Sequence, residues 1–155
     1  MRGKVIGLAL AIATGLLVQS GGAAAQAPLQ DPAAKLRDPA QVLVIAHRGC
    51  VGEAPEVSLA SIHACAGKGI DGIELDIRKS KDGVLVAIHD ATLERTTNGT
   101  GQVADHTAAE LRQLRLRRGN GGPGVVLTEE RLPTLEQMLL AAKEHGFIVH
   151  LDIKD

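Results

Sequence analysis

Between residues 47 and 90 the sequence sets down three short groups that could do chemistry: His47-Arg48, Glu74-x-Asp76 and His89-Asp90. An imidazole with a pKa near neutrality can take a proton from a nucleophile, and a second can return one to a departing alkoxide. Glu74 and Asp76 stand at i and i+2, so on an extended strand both carboxylates share a face, with Leu75 on the other. Like charges that close need a compensating cation. A hard divalent ion bound through oxygen, Mg²⁺ or Ca²⁺, meets that need. Asp152, in a later β-branched run, supplies a third carboxylate. Arg48 can fork onto a phosphate through two donors, and Lys154 supplies a point charge. Glu56 from the first loop is a supporting candidate. Asp90 either orients His89 or caps the loop behind it. Taken together, these groups suit cation-assisted acid/base hydrolysis of a phosphodiester.

Each residue alone has a plainer reading. The acidic pair reads as a solvated strand face, one histidine as structural, and Arg48 or Lys154 as surface charge. Two histidines flanking an acidic pair argue against it. His63, His106, His145 and His150 lack such context and read as surface or filler residues.

The elements that must position these groups follow from the pattern. Residues 42–46 form a continuous apolar run, the mark of a strand buried on both faces, and it ends at His47. Ser58 opens a helical pattern through Leu59, Ile62 and Ala66, closed by Gly67 and Gly69. Residues 72–77 form a second strand. Lys81-Asp82-Gly83 is a turn, and residues 84–88 form a third strand, ending at His89. Thr107 and Glu110 are the ends of a capping box that opens a short helix. Residues 117–124 (RRGNGGPG) have no period and are expected to be mobile. Thr134 caps a firmer helix that ends at Gly146. Residues 148–153 form a fourth strand, delivering Asp152 and Lys154. Strand ends that converge on one rim favour an α/β barrel over a doubly wound sheet.

The first 25 of 155 residues read as a secretory signal peptide: Arg2 and Lys4, an apolar run over 5–18, then Ala23-Ala24-Ala25. The apolar run is too short for a convincing membrane span, and no cysteine follows it to carry a lipid. Cleavage after Ala25 makes the product periplasmic or secreted, with no stable membrane anchor. It leaves 15 Lys and Arg against 18 Asp and Glu, a net charge of −3. There is no basic stripe, and Phe147 is the single Phe, Tyr or Trp, so nucleic acid is excluded as a partner. Cys50 and Cys65 either pair in the oxidising compartment or lie buried as free thiols. Residues 26–41, rich in proline, read as a tether, and residues 42–155 as the domain.

HRG at 47–49, APE at 54–56, ELD at 74–76, KDG at 81–83, HD at 89–90, RTTNGTG at 95–101, PTL at 133–135 and DIK at 152–154 occur in order. In this the chain resembles the glycerophosphodiester phosphodiesterases. The resemblance implies a TIM-barrel-type (β/α)8 enzyme that cuts a small-molecule glycerophosphodiester to an alcohol and glycerol 3-phosphate with a divalent cation, Ca²⁺ or Mg²⁺. It implies His47 and His89 as the acid/base pair, Glu74 and Asp76 as metal ligands, and Arg48 and Lys154 as phosphate contacts. Segment 91–131 corresponds to the family's characteristic insertion. Two positions depart from the pattern. Asp152 stands where the family usually has Glu as third ligand, and Val57 stands where PENT carries Asn.

Rival readings are a phospholipase D-like activity on lysophospholipids and a non-catalytic phosphodiester-binding half-barrel. The 130 residues after Ala25 fall short of the 200 or more of a closed barrel. The expectation is therefore about the first half of the fold, a truncated piece of a larger product with little activity alone. Oligomeric state is left open.

Overall fold

The computed structural model describes residues 32–154. The signal-peptide reading of 1–25 and the first part of the tether lie outside the described residues. Within the tether, Pro32–Arg37 forms a short helix, α1, which Lys35 fastens to Asp71 by an ion pair of 2.5 Å. No helix among the described residues is long and apolar enough to cross a membrane.

Strand β2, Gly72–Lys79, is the axis of the fold. Ile73, Leu75 and Ile77 alternate with Glu74 and Asp76, and all five are buried. One face thus feeds the apolar core and the other the candidate site. β1, Ile45–His47, runs parallel to β2 in the register Ile45↔Gly72 to His47↔Glu74. On the other edge β6, Ile148–Ile153, is also parallel, with Glu74↔His150 and Asp76↔Asp152. Helices α2, Leu59–His63, and α4, Leu135–Glu144, pack over the sheet. Ile62, Cys65, Met138 and Ala141 there close on Ile73, Leu75 and Ile77. Ser58 and Thr134 cap these helices through reciprocal side-chain and backbone bonds. Each cap is worth about 1 kcal/mol.

Two expectations about strands need correction. Residues 42–44 are not strand: Val42 is 81% exposed. Its continuation, β1, finds a partner only from Gly72 onward, so the chain before Ile45 has no ladder to join. The run over 84–88 holds a strand, β3, Leu85–Ala87, but it is antiparallel to β2, with Ile77↔Ala87 and Lys79↔Leu85. Ser80 closes the hairpin: its N–H donates to Val84 O at 2.9 Å and its hydroxyl to Asp82 Oδ1 at 2.6 Å. His89 therefore reaches the rim on a returning hairpin arm and not on a third parallel strand.

Segment 91–131 contributes Leu93, Val103, Leu111 and Leu116 to a second core, which the flanking Val86, Ile88 and Leu132 complete. It contains α3, Ala108–Leu111, capped by Thr107 as expected. It also contains a two-stranded antiparallel sheet of β4, Arg115–Arg117, and β5, Leu127–Arg131. Loop 117–124 is fastened and not free. Gly119 O accepts from Glu56 N at 2.8 Å, and Gly122 N donates to Arg95 O at 2.7 Å. Gly121 (φ +67) packs so tightly that a Cβ would lie 2.3 Å from Arg95 O. Cys50 and Cys65 are disulfide-bonded, with Cα atoms 5.4 Å apart, which decides between the two readings of the pair.

Candidate active site

Three carboxylates meet at the centre of the rim. Glu74, Asp76 and Asp152 each place an oxygen within 4.8 Å of the others. The parallel register of β2 with β6 causes this, because Asp76 and Asp152 are directly paired and Glu74 is two residues back on the same face. Asp76 is only 1% exposed, whereas the Asp152 side chain is 46% exposed. Lys154 Nζ bridges them, 3.0 Å from Asp76 Oδ1 and also bonded to Asp152 Oδ2. Its hydrogen bonds to Asp152 first and Asp76 second raise its pKa, and the same bond lowers that of Asp152.

The turn after β1 delivers two more groups. Arg48 adopts φ +60 and Gly49 φ +82. A Cβ on Gly49 would lie 2.3 Å from Ser61 Oγ, so the turn is open only to glycine there. Arg48 N donates to Glu74 Oε2 at 3.0 Å, and Arg48 Nη1 to Glu56 Oε1 at 3.3 Å. Arg48 Nε lies 3.3 Å from Asp76 Oδ2. The pair attracts by charge but is off the line of a hydrogen bond, so both buried atoms keep an unused bonding position. His47 Nε2 stands 3.9 Å from Glu74 Oε2 with its side chain 72% exposed, free to meet a ligand.

His89 is held differently. Its Nδ1 lies 2.6 Å from Asp90 Oδ1, so Asp90 orients His89 and is not merely a loop cap. Arg95 fixes Asp90 in turn, through Nε at 2.6 Å and Nη2 at 2.8 Å. The same guanidinium grips Glu56 at 2.9 and 2.7 Å. Its bonds, foremost that of Arg95 and then that of His89, hold the Asp90 carboxyl far below the usual carboxylate range. Bonds to Asp90 and then Glu56 push Arg95 further up, so it is a permanent cation.

All nine predicted site residues thus fall on one rim or its support. Two have other partners than expected: Arg48 and Lys154 lie on carboxylates. Two residues escaped the sequence reading. Arg95 sits inside RTTNGTG, where only loop chemistry was legible. His150 lies in register beside Glu74, two residues before Asp152 on one strand face, and that i, i+2 spacing was the available signal.

The group fits a divalent cation. Glu56, Glu74, Asp76, Asp90 and Asp152 face Arg48, Arg95 and Lys154, which leaves two negative charges uncompensated, histidines aside. The buried Asp76 Oδ2 has a lone pair unclaimed by any hydrogen bond. An all-oxygen donor set of this kind selects Mg²⁺ or Ca²⁺ over softer ions.

Residues 47–155 match the glycerophosphoryl diester phosphodiesterase family. The chain belongs to that family. It is 41% identical to a glycerophosphodiester phosphodiesterase of Caldanaerobacter subterraneus, over 74% of this chain and 46% of that one. It is 38% identical to human glycerophosphodiester phosphodiesterase 1, over 74% of this chain and 34% of that one. Among solved structures, the Agrobacterium tumefaciens glycerophosphodiester phosphodiesterase superposes with a TM-score of 0.65 and 34% identity, over 74% of this chain and 48% of that one. A phosphodiesterase of Oleispira antarctica, solved with the product sn-glycerol-3-phosphate, does so with a TM-score of 0.63 and 38% identity, over 73% of this chain and 44% of that one. The chain therefore spans about a third to a half of the relatives it matches. The fold is that of the family's α/β barrel, and the described residues supply three of its parallel strands, β1, β2 and β6.

Proposed function

We propose that these residues form the acid/base, cation and phosphate-binding part of a glycerophosphodiester phosphodiesterase, which releases an alcohol and glycerol 3-phosphate. The observation that carries the reading is the buried carboxylate cluster, with its unclaimed Asp76 oxygen, between an exposed His47 and an Asp-oriented His89. Family membership supports the substrate class.

Glu74, Asp76 and Asp152 would hold the cation. When bound, it supplies charge stabilisation to the phosphoryl oxygens. His47, solvent-facing and beside Glu74, takes the proton from the attacking group: either a water, which adds to phosphorus as the alkoxide leaves, or the substrate's neighbouring hydroxyl, whose cyclic product a water then opens. Asp90 accepts from His89 Nδ1, which fixes the ring so that Nε2 presents the proton given to the leaving alkoxide. Arg48 and Lys154, already charged and held at the carboxylates, attract the phosphodiester and orient it. Segment 91–131, tied to the rim by Arg95 and Gly119, shapes the pocket for the leaving alcohol. The export reading of residues 1–25 joins this proposal, and the Cys50–Cys65 disulfide supports a periplasmic or secreted location.

The test is glycerol 3-phosphate release from glycerophosphocholine, followed by phosphorus NMR, with calcium binding measured on the same sample. Release that stops with EDTA and with His89→Ala is expected. Hydrolysis that survives both, or no hydrolysis together with no calcium binding, overturns the reading.

A further inference from the structure

Helices α2 and α4 bring together two histidines that the proposed reaction does not use. His63 is the last residue of α2 and His145 is the C-cap of α4. His63 Nδ1 lies 2.8 Å from His145 Nε2. The Glu144 carboxylate joins them, so that one ligand atom from each of the three lies within 4.8 Å of the others, and all three residues are exposed. The cluster stands at the start of β6 (His145 precedes Ile148 by three residues), whereas Asp152 is four residues further along, about 13 Å of strand. It is therefore separate from the carboxylate cluster at the rim.

Both imidazoles are held from behind. Ile62, next to His63, is fully buried, and Cys65, two residues on, is in the disulfide. The ring of His145 lies against that of Phe147, with centroids 5.5 Å apart, and Gly146 (φ +68) turns the chain directly after it. A hydrogen bond between the two rings accounts for the histidine pair but not for the carboxylate beside it. A tetrahedral ion with bonds of about 2.1 Å needs its two nitrogens about 3.4 Å apart. A slight opening of the rings, with rotation of the exposed Glu144 side chain, meets that requirement.

We propose that His63, Glu144 and His145 form a second metal site, one that takes a borderline transition ion of the Zn²⁺, Ni²⁺ or Cu²⁺ class. Imidazole nitrogens favour such ions, while the all-oxygen cluster at the rim favours hard ones. The ion clips the C-terminal ends of α2 and α4 together, across the core of which Ile62, Met138 and Ala141 are part. Binding to the folded form alone makes it a stabiliser whose effect grows with free ion.

The test uses the full chain without a polyhistidine tag, titrated with zinc chloride by calorimetry and by histidine-ring nitrogen NMR. One zinc ion is expected whose affinity falls roughly hundred-fold in His63→Gln and again in His145→Gln, since loss of a direct ligand costs at least what loss of its supporting partner does. The ring resonances of His63 and His145 should move with zinc and stay in place with calcium. Zinc should also raise the melting temperature of the wild type, with that rise absent in the double variant. The same zinc isotherm in the double variant, or ring resonances unmoved by zinc, overturns the proposal.

Discussion

Arg95 grips Glu56 through two parallel hydrogen bonds, Nη1 to Oε2 at 2.9 Å and Nη2 to Oε1 at 2.7 Å, and holds Asp90 through Nε and Nη2. Glu56 also receives Arg48, which reaches Asp76. A line of alternating charge thus runs from His89 through Asp90, Arg95, Glu56 and Arg48 to Asp76. The two histidines and the carboxylate cluster are supported as one unit, although they arrive on four separate segments.

Breaking this line at Arg95 should be costly, because Glu56 has 2% of its side chain exposed and would keep only the longer contact to Arg48. Losing one partner of a buried ion pair costs about 3–5 kcal/mol. Arg95 is partly solvated, so Arg95→Met should lower unfolding stability by about 3 kcal/mol, the bottom of that range. Urea denaturation measures it. Glu56→Gln added to Arg95→Met should recover part of the loss by removing the stranded charge. No recovery would mean that packing, and not charge, is what Arg95 supplies.

Acid stability should depend on Asp90. Its folded pKa is depressed, chiefly by Arg95 and then by His89. A depressed carboxylate contributes fully above its unfolded pKa of about 3.9, and the contribution is lost as pH falls through that value toward the folded one. The urea midpoint of the wild type should therefore drop steeply below about pH 5, where Asp90 of the unfolded chain begins to take up a proton. Asp90→Asn should flatten that limb while lowering stability near neutrality. An identical slope in the variant would assign the acid limb to other carboxylates.

Much of this was readable in the sequence for physical reasons that can be named. Caps are local, so Ser58, Thr107 and Thr134 announce their helices without tertiary help. The Ile73, Leu75, Ile77 alternation with Glu74 and Asp76 fixes both faces of β2. Strand direction is different, because apolar period is the same for parallel and antiparallel pairing. The clue for β3 was length: five residues between β2 and β3 allow a hairpin, whereas a parallel crossover needs about a dozen. β4 and β5 are mostly charged, and their pairing comes from Leu116 settling into the second core. Arg95 was hidden because its partners are 5 and 39 residues away, and only folding brings them within reach.

The disulfide should matter for stability more than for cation binding. Cys50 follows the His47-Arg48-Gly49 turn and Cys65 follows α2, so the bond staples the turn to the helix that packs on Gly49. In the chain-entropy account, closing 15 residues restricts the unfolded chain by about 3 kcal/mol. Cys50→Ala with Cys65→Ala, or reduction of the wild type, should lower unfolding stability by about that amount. Calcium affinity should change little, because Glu74, Asp76 and Asp152 sit on the paired strands β2 and β6. A large fall in calcium affinity on reduction would show that the turn helps to shape the cation site.

Asp152 tests how far this chain's own variation sets its cation affinity. Its carboxylate is the exposed member of the cluster and is engaged by Lys154, while Glu74 and Asp76 are buried. A side chain one methylene shorter holds its oxygens closer to β6, and its hydrogen bond to Lys154 must be given up before those oxygens turn inward. Glu at this position extends the reach and loosens that grip. Asp152→Glu should therefore bind calcium about ten-fold more tightly, equivalent to about 1.4 kcal/mol. The gain should appear as a larger calcium-induced rise in melting temperature. Lys154→Met should also strengthen calcium binding, by removing the competing ammonium, while weakening retention of glycerol 3-phosphate. If Asp152→Glu leaves the isotherm unchanged and Lys154→Met weakens it, then Asp152 is a partner of Lys154 and not a cation ligand.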